Sequence, residues 1–208
     1  ERMFGVKERR FAAAETQVSD LAANAARKIV DKHGADSIDC LIFASACSDL
    51  IEPATANIVQ HKLGLSCPAF DVKNACNSFV TALQIAQAFV VAGTYNRILI
   101  ATGEKLSNSI KLEISDEEDL KDRLAALSFG DAGSAVLIEA SANGSGIIFQ
   151  RFKTAGKHWP LCTIQGGGSM FPFEMDKNFF KGRTSELSEV MFEEGAAFVA
   201  GCFIDAGW

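Results

Sequence analysis

The sequence predicts an α/β protein built on a mostly parallel five-stranded sheet with a buried central helix. Three observations lead there. Segments that read as strand, helix, strand, helix and strand alternate between residues 38 and 103, the order that a parallel sheet with crossover helices requires. Two of the strand segments, Ile38 to Ala46 (IDCLIFASA) and Arg97 to Gly103 (RILIATG), are nearly continuous apolar runs, as strands covered on both faces are. From Asn77 to Asn96 there is no charged side chain, so the helix placed there has no face suited to water. Thr81, Gln84 and Gln87 interrupt that run too often for a membrane span.

Glu1 to Ala14 carries a basic cluster (Arg2, Lys7, Arg9, Arg10) and reads as loop or edge structure. Thr16 or Ser19 can cap a helix running to about Lys32, whose apolar stripe is Leu21, Ala22, Ala25, Ala26, Ile29 and Val30; Gly34 closes it. After the first strand comes a loop from Ser48 to Pro53. The proline can start a helix that Gly64 ends after Leu63. Ala69 to Val72 is a short strand, and Lys73 to Ala75 has turn chemistry before the uncharged helix, which Gly93 and Asn96 terminate. Lys111 to Arg123, with five acidic residues from Glu113 to Asp119, reads as a solvated loop with a short helix. Phe129 to Gly133 is a turn. Ala135 to Ala140 and Gly146 to Phe152 read as antiparallel strands joined through Asn143-Gly144. Glycines 166 to 168 mark a loop that lacks the Gly-Lys-Ser/Thr ending of a phosphate loop. Glu186 to about Ala206 is a final helix, weakened by Gly195 and Gly201.

Composition narrows the functional classes. The 208 residues are 22% charged and 48% hydrophobic, an ordinary balance for a soluble globular protein. A net charge of −6, with no basic-aromatic cluster to offset it, argues against a nucleic-acid surface. Cysteines 40, 47, 67, 76, 162 and 202 form no C-x-x-C pair and mostly sit in apolar runs, so neither a metal site nor a disulfide framework is expected. They read as reduced thiols of a cytoplasmic protein. No signal peptide or membrane span is evident. The chain has no initiator Met and opens on Glu-Arg, as a piece of a longer gene product would.

Cys76 is the residue with a chemical reading. It falls where the strand at 69–72 turns into the uncharged helix, at that helix's first turn. Unpaired amides and the helix dipole there favour a thiolate, the nucleophilic form of cysteine. A sharp strand-to-helix turn also pushes a side chain out towards a substrate, as in serine hydrolases. The competing reading is a small buried hydrophobe, the usual role of a free cysteine.

Several separated motifs, in order, give the chain a family resemblance. They are Gly5-Val6-Lys7-Glu8-Arg9-Arg10, the helix ending in Leu63-Gly64-Leu65, Cys67-Pro68-Ala69-Phe70-Asp71-Val72 leading to Ala75-Cys76, and Phe129-Gly130-Asp131-Ala132-Gly133-Ser134-Ala135-Val136-Leu137. With them the chain resembles the 3-oxoacyl-(acyl carrier protein) synthase III family of the thiolase superfamily. The likeness runs from Gly5 to about Ser141, and more loosely along the last helix. It implies the first half of a layered αβαβα architecture. Residues 1–141 would form the N-terminal half-domain without its first strand, and 142–208 a hairpin strand, a variable loop and a linker helix. Cys76 would be the nucleophile that takes an acyl group from coenzyme A as a thioester and passes it, in a Claisen condensation, to a carbanion derived from malonyl-carrier protein. Arg2 and Arg123 match the positions that contact coenzyme A in the family; a guanidinium pairs with phosphate and stacks on adenine. The likeness implies a homodimer, acyl-CoA and acyl carrier protein as partners, and no permanently bound cofactor or metal.

The chain departs from the family in two respects. The family's catalytic His and Asn lie in a second half-domain, and His33, His61 and His158 lack the context of that His, so the 208-residue chain alone is expected to be inactive. Glu52-Pro53 places an acidic residue where chain-initiating synthases carry an apolar one. That dipeptide, with Asp71-Val72-Lys73-Asn74-Ala75-Cys76 and the acidic insertion before Leu124, is closer to the OleA-like enzymes, which join two acyl-CoA chains head to head with a glutamate reaching across the dimer as base. Glu52 is thus a candidate base in trans. A non-catalytic half-domain that only binds a partner or an acyl group is the alternative from another class.

Overall fold

The computed structural model describes residues 5–208. They divide into two compact units, one of residues 10–105 and 130–148, the other of residues 106–129 and 149–208 together with 5–9. The first unit contains helices α1 (Val18–His33), α2 (Thr55–Leu63) and α3 (Ser78–Val91), and strands β1 (Cys40–Ala44), β2 (Ala69–Val72), β3 (Arg97–Lys105) and β4 (Asp131–Glu139). The strands form one sheet in the order β2-β1-β3-β4. β1 runs parallel to both β2 and β3, with Leu41 level with Ala69 on one side and Leu99 on the other. β4 pairs antiparallel to β3.

Successive side chains of a strand point to opposite faces, which explains the unbroken apolar runs. Leu41, Phe43, Leu99 and Ala101 pack with Ala22, Ala26 and Val30 of α1 and Val59 and Leu63 of α2. Cys40, Ile42, Ala44, Ile98 and Ile100 pack on the other face with Ala82 and Ala86 of α3. α1 lies very close to the sheet. A Cβ on Gly103 would stand 2.1 Å from the Val18 carbonyl oxygen, and one on Gly133 2.1 Å from that of Leu21. α1 is capped by Gln17, whose N–H donates to the Asp20 carboxylate at 2.8 Å, rather than by Thr16 or Ser19. Gly34 (φ +85) and Gly64 (φ +70) end α1 and α2. Lys105, only 7% exposed, donates to the carbonyls of Ala13, Ala14 and Thr16 at 2.9, 3.0 and 2.8 Å, pinning the segment ahead of α1 to the end of β3.

The sheet differs from expectation in its strand count: among the described residues it has four strands, not five. Gly146 to Phe152 is not a strand. Its turn closes on itself, the Asn143 side-chain oxygen accepting from the N–H and hydroxyl of Ser145; Gly146 then takes φ +133, and Ile148 stays 75% exposed. β4 instead begins earlier, at Asp131 inside the expected turn, and pairs along the whole of β3 from Arg97–Glu139 to Lys105–Asp131. A second correction concerns α3. Its freedom from charge suggested burial on every side, yet within this unit only the stripe Ser78, Ala82, Ala86 is buried, while Val80 and Val91 are exposed. The small residues of that stripe are what let the helix approach the sheet.

The second unit holds α4 (Glu117–Arg123), the short antiparallel pair β5 (Cys162–Thr163) and β6 (Lys181–Gly182), and two final helices, α5 (Thr184–Val190) and α6 (Ala196–Asp205). A π-helical turn at Met191–Gly195 joins α5 to α6, so the expected last helix is present with an interruption at Gly195. Phe129 and Phe180 meet edge to face, centroids 4.8 Å apart. The glycines at 166–168 form a turn tied by bonds from Gly166 to the Lys177 carbonyl and from Gly167 to that of Phe171, at 2.9 and 3.0 Å.

Candidate active site

Because β1, β2 and β3 are mutually parallel, their carboxyl ends share one edge of the sheet, where open α/β sheets collect their functional groups. β2 ends there and turns sharply into α3. Asn77 N–H donates to the Asn74 carbonyl at 3.0 Å and Ser78 N–H to that of Ala75 at 3.1 Å. Ala75 has φ +46, a region residues with a Cβ seldom enter. Cys76 follows it and is solvent-exposed. It stands two residues before Ser78, the first residue of α3, with Asn77 as the cap; the thiol therefore lies just ahead of the helix rather than inside its first turn.

The remaining thiols of this unit are of another kind. Burial, and then the nearby Glu104 carboxylate, pushes the Cys47 thiol up to about 12. Burial pushes Cys40 up to about 11, with Cys67 and Asp39 adding to the effect, and raises Cys67 too. These cysteines fit the hydrophobe reading, and Cys76 does not. Cys162, in the second unit, is also exposed.

Glu52 lies in the loop after β1, at the same edge, exposed along with Leu50 and with Ile51, which is 88% exposed. The loop is tied to the cysteine-bearing strand through its helix. Asp71 of β2 accepts from the N–H groups of Thr55 and Ala56 at 2.9 and 2.7 Å, capping α2 from a neighbouring element. Asp49 accepts from Ser19 N–H at 3.0 Å and donates its own N–H to the Thr55 hydroxyl at 3.2 Å.

Arg123 closes α4 in the second unit and is 5% exposed. It is bonded to Asp119, whose carboxyl that guanidinium holds below the usual range. The Nη1 of Arg123 is buried without a hydrogen-bond partner, an arrangement that costs free energy unless a further acceptor is supplied. Arg2 lies outside the described residues. His33 ends α1, His61 is on α2, and His158 contacts Glu194 at 3.4 Å. Among the described residues no cluster of His, Cys, Asp and Glu could hold a metal ion.

Sequence reasoning passed over Asp71, Asn74 and Ser78 as working residues. The signal present was a run of helix-cap residue types, Asn74, Asn77 and Ser78, around the cysteine.

Comparison with known proteins places this geometry. Residues 70–156, which include Cys76 and Arg123, match the family model described as 3-oxoacyl-[acyl-carrier-protein (ACP)] synthase III. The chain is 39% identical over 166 residues to the beta-ketoacyl-[acyl-carrier-protein] synthase III of Neisseria meningitidis serogroup C / serotype 2a, a match covering 78% of this chain and 49% of that protein. To the synthase III of Chlamydia muridarum it is 38% identical over 176 residues, covering 83% and 51%. The chain thus spans about half the length of the curated relatives it matches. Among solved structures, a 3-oxoacyl-(acyl-carrier-protein) synthase III superposes with a TM-score of 0.83 at 25% identity, covering 98% of this chain and 64% of that one. Xanthomonas campestris OleA with bound lauric acid and lauroyl-CoA superposes with a TM-score of 0.77 at 26% identity, covering 96% and 60%. In sequence and in fold the chain is therefore similar to the 3-oxoacyl-[acyl-carrier-protein] synthase III family, of whose curated members it spans about half the length.

Proposed function

We propose that this chain carries the acyl-accepting part of an acyl-thioester condensing enzyme of the synthase III type. The observation that carries the reading is Cys76: an exposed thiol on a left-handed elbow, at the carboxyl edge of a parallel sheet and just ahead of an uncharged helix. The Cys76 thiolate adds to the carbonyl carbon of an acyl-CoA. The tetrahedral oxyanion is met by the backbone N–H of Cys76 itself, and the coenzyme A thiolate leaves, so that the acyl group remains on Sγ. A carbanion from a decarboxylated malonyl-carrier protein then attacks that thioester, forming the carbon–carbon bond and releasing Sγ. Arg123, with its unpartnered buried Nη1, and Arg2 are assigned to the coenzyme A phosphates and adenine. Acyl-CoA and acyl carrier protein are the partners in this reading, a homodimer the working state, the cytoplasm the compartment, and no resident cofactor is required. No helix among the described residues is long and apolar enough to cross a membrane.

The test is intact-mass analysis after incubation with acyl-CoA. One acyl adduct is expected, mapping to Cys76 and absent from Cys76→Ser. An adduct that survives the substitution moves the nucleophile elsewhere, and no adduct at all favours a non-catalytic half-domain.

The exposed Glu52 loop supports a second reading, head-to-head condensation of two acyl-CoAs. There Glu52 enters the partner subunit's acyl channel and removes the proton α to the second thioester. A carboxylate in an apolar channel is a stronger base than one in water. Glu52→Gln is then expected to leave acylation of Cys76 intact while carbon–carbon bond formation between two acyl-CoAs falls by about 10²-fold or more. A variant that condenses normally returns the chain to the chain-initiating reaction.

A further inference from the structure

The elbow that presents Cys76 contains a residue in a conformation that its own side chain opposes. Ala75 has φ +46, and nothing in an alanine selects the left-handed region. A buried hydroxyl is placed to hold it there. Ser78, 2% exposed, accepts from the Asn74 N–H at 2.8 Å and donates to the Ala75 carbonyl at 2.7 Å. One side chain thus clamps the backbone on both sides of the disfavoured residue, and the Ser78 N–H adds a second bond to the Ala75 carbonyl at 3.1 Å. The turn is tied in turn to the helix. Asn74 Nδ2 donates to the Thr81 hydroxyl at 2.9 Å, and that hydroxyl donates to the Asn77 carbonyl at 2.9 Å.

We propose that Ser78 is a positioning residue for Cys76: its hydroxyl holds Ala75 left-handed, and that conformation aims the thiol at the incoming thioester. The inference rests on the reading of Cys76 as acyl acceptor given above, and adds the group that makes the elbow competent. Ser78 touches no substrate. Without its hydroxyl Ala75 loses the two side-chain bonds that bracket it and relaxes towards the right-handed region, and only the minority of molecules that keep the elbow react.

The hydroxyl could instead be an ordinary helix-terminal group whose loss costs stability alone, and a double substitution separates the two. In the full chain, the initial rate of Cys76 acylation by acetyl-CoA and by lauroyl-CoA is followed by peptide mass mapping. The proteins compared are wild type, Ser78→Ala, Ser78→Thr, Ala75→Gly and Ser78→Ala/Ala75→Gly, with the melting temperature of each. Ser78→Ala is expected to acylate about tenfold slower, the effect of adding the cost of one left-handed residue to the barrier. Ser78→Thr, which keeps the hydroxyl, retains the rate. Glycine adopts φ > 0 without steric cost, so Ala75→Gly in the Ser78→Ala background restores acylation to within about threefold of wild type, whatever the melting temperature does. Acylation of Ser78→Ala at the wild-type rate overturns the proposal, as does a slow Ser78→Ala that glycine at 75 does not rescue. If Ser78→Ala alone fails to fold, a folded and acylating double variant supports the proposal, and an unfolded one overturns it. Absence of a Cys76 adduct in the wild type brings down the nucleophile reading itself and this inference with it.

Discussion

At the scale of single residues, what separates the thiols is their surroundings. Cys40 lies within the apolar run of β1 and Cys47 just after it, and burial pushes both thiols up; Cys76 follows another short strand and is exposed. A second residue that only its surroundings define is Glu194, inside the π-helical turn. Lys157, Lys153 and His158 converge on its carboxylate at 3.0, 3.2 and 3.4 Å. These hydrogen bonds, Lys157 first, lower its pKa from 4.5 to about 2. A carboxylate whose folded pKa lies below its unfolded one adds stability that is present above the unfolded value and lost as pH falls through the folded one. Glu194→Gln should therefore lower the melting temperature at pH 7, and the gap from wild type should close as pH falls from 4.5 towards 2. A gap that persists unchanged at the acid end would falsify the assignment of the shift to this carboxylate.

Elements were legible where local pattern and long-range packing demand the same thing. The runs at Cys40–Ala44 and at residues 98–101 are apolar at every position because both faces are covered, so the strands could be read without knowing their neighbours. Gly64 and Gly34 ended helices where their positive φ is needed. The hairpin at 135–152 failed for the opposite reason. Asn-Gly flanked by apolar residues is a strong local signal, but the segment after it does not join the outer edge of β4, whose partner is β3, and sequence periodicity carries no information about which strand a given edge will find. The contact between α1 and the sheet was equally invisible, since it depends on glycines far apart in the chain. Gly103→Ala is expected to destabilise by about 1–3 kcal/mol, because the added Cβ meets backbone rather than a side chain that can rotate away. Thermal melts of Gly103→Ala and Gly133→Ala check this; an unshifted melting temperature in both would show that α1 can lift off the sheet at no cost.

At the scale of the molecule, each unit leaves large apolar side chains exposed. Val80 and Val91 of α3 are exposed in the first unit, and Val199, Phe203 and Ile204 of α6 with Trp208 in the second. Exposed apolar side chains of this size are where further protein is accommodated when they cluster, which a proposed homodimer would supply. The histidines are placed on α1, on α2 and beside Glu194, and none has the sequence context of the family's catalytic one. The 208-residue chain by itself is therefore expected to take an acyl group on Cys76 yet to condense it slower than full-length relatives by about 10²- to 10⁴-fold for each proton-handling group it lacks. Acylation and condensation assayed side by side on the same preparation test this, and turnover equal to that of a relative would mean that other residues fill those roles.

By itself the sequence determined the α/β class, the order of the elements from residue 18 to 105, the place of Cys76 at a strand-to-helix turn, and the family likeness. All of these are local: apolar periodicity, cap residues, glycines and contiguous motifs act within a few residues of chain. Only the tertiary structure decided the rest. It set the number of strands in the sheet, the single covered face of α3, the burial of Cys40 and half-burial of Cys47 beside the exposure of Cys76, the capping of α2 by Asp71 from another strand, and the clamp of Ser78 on a left-handed Ala75. Each depends on groups that meet only after folding, and burial and pairing are properties of the meeting rather than of either residue.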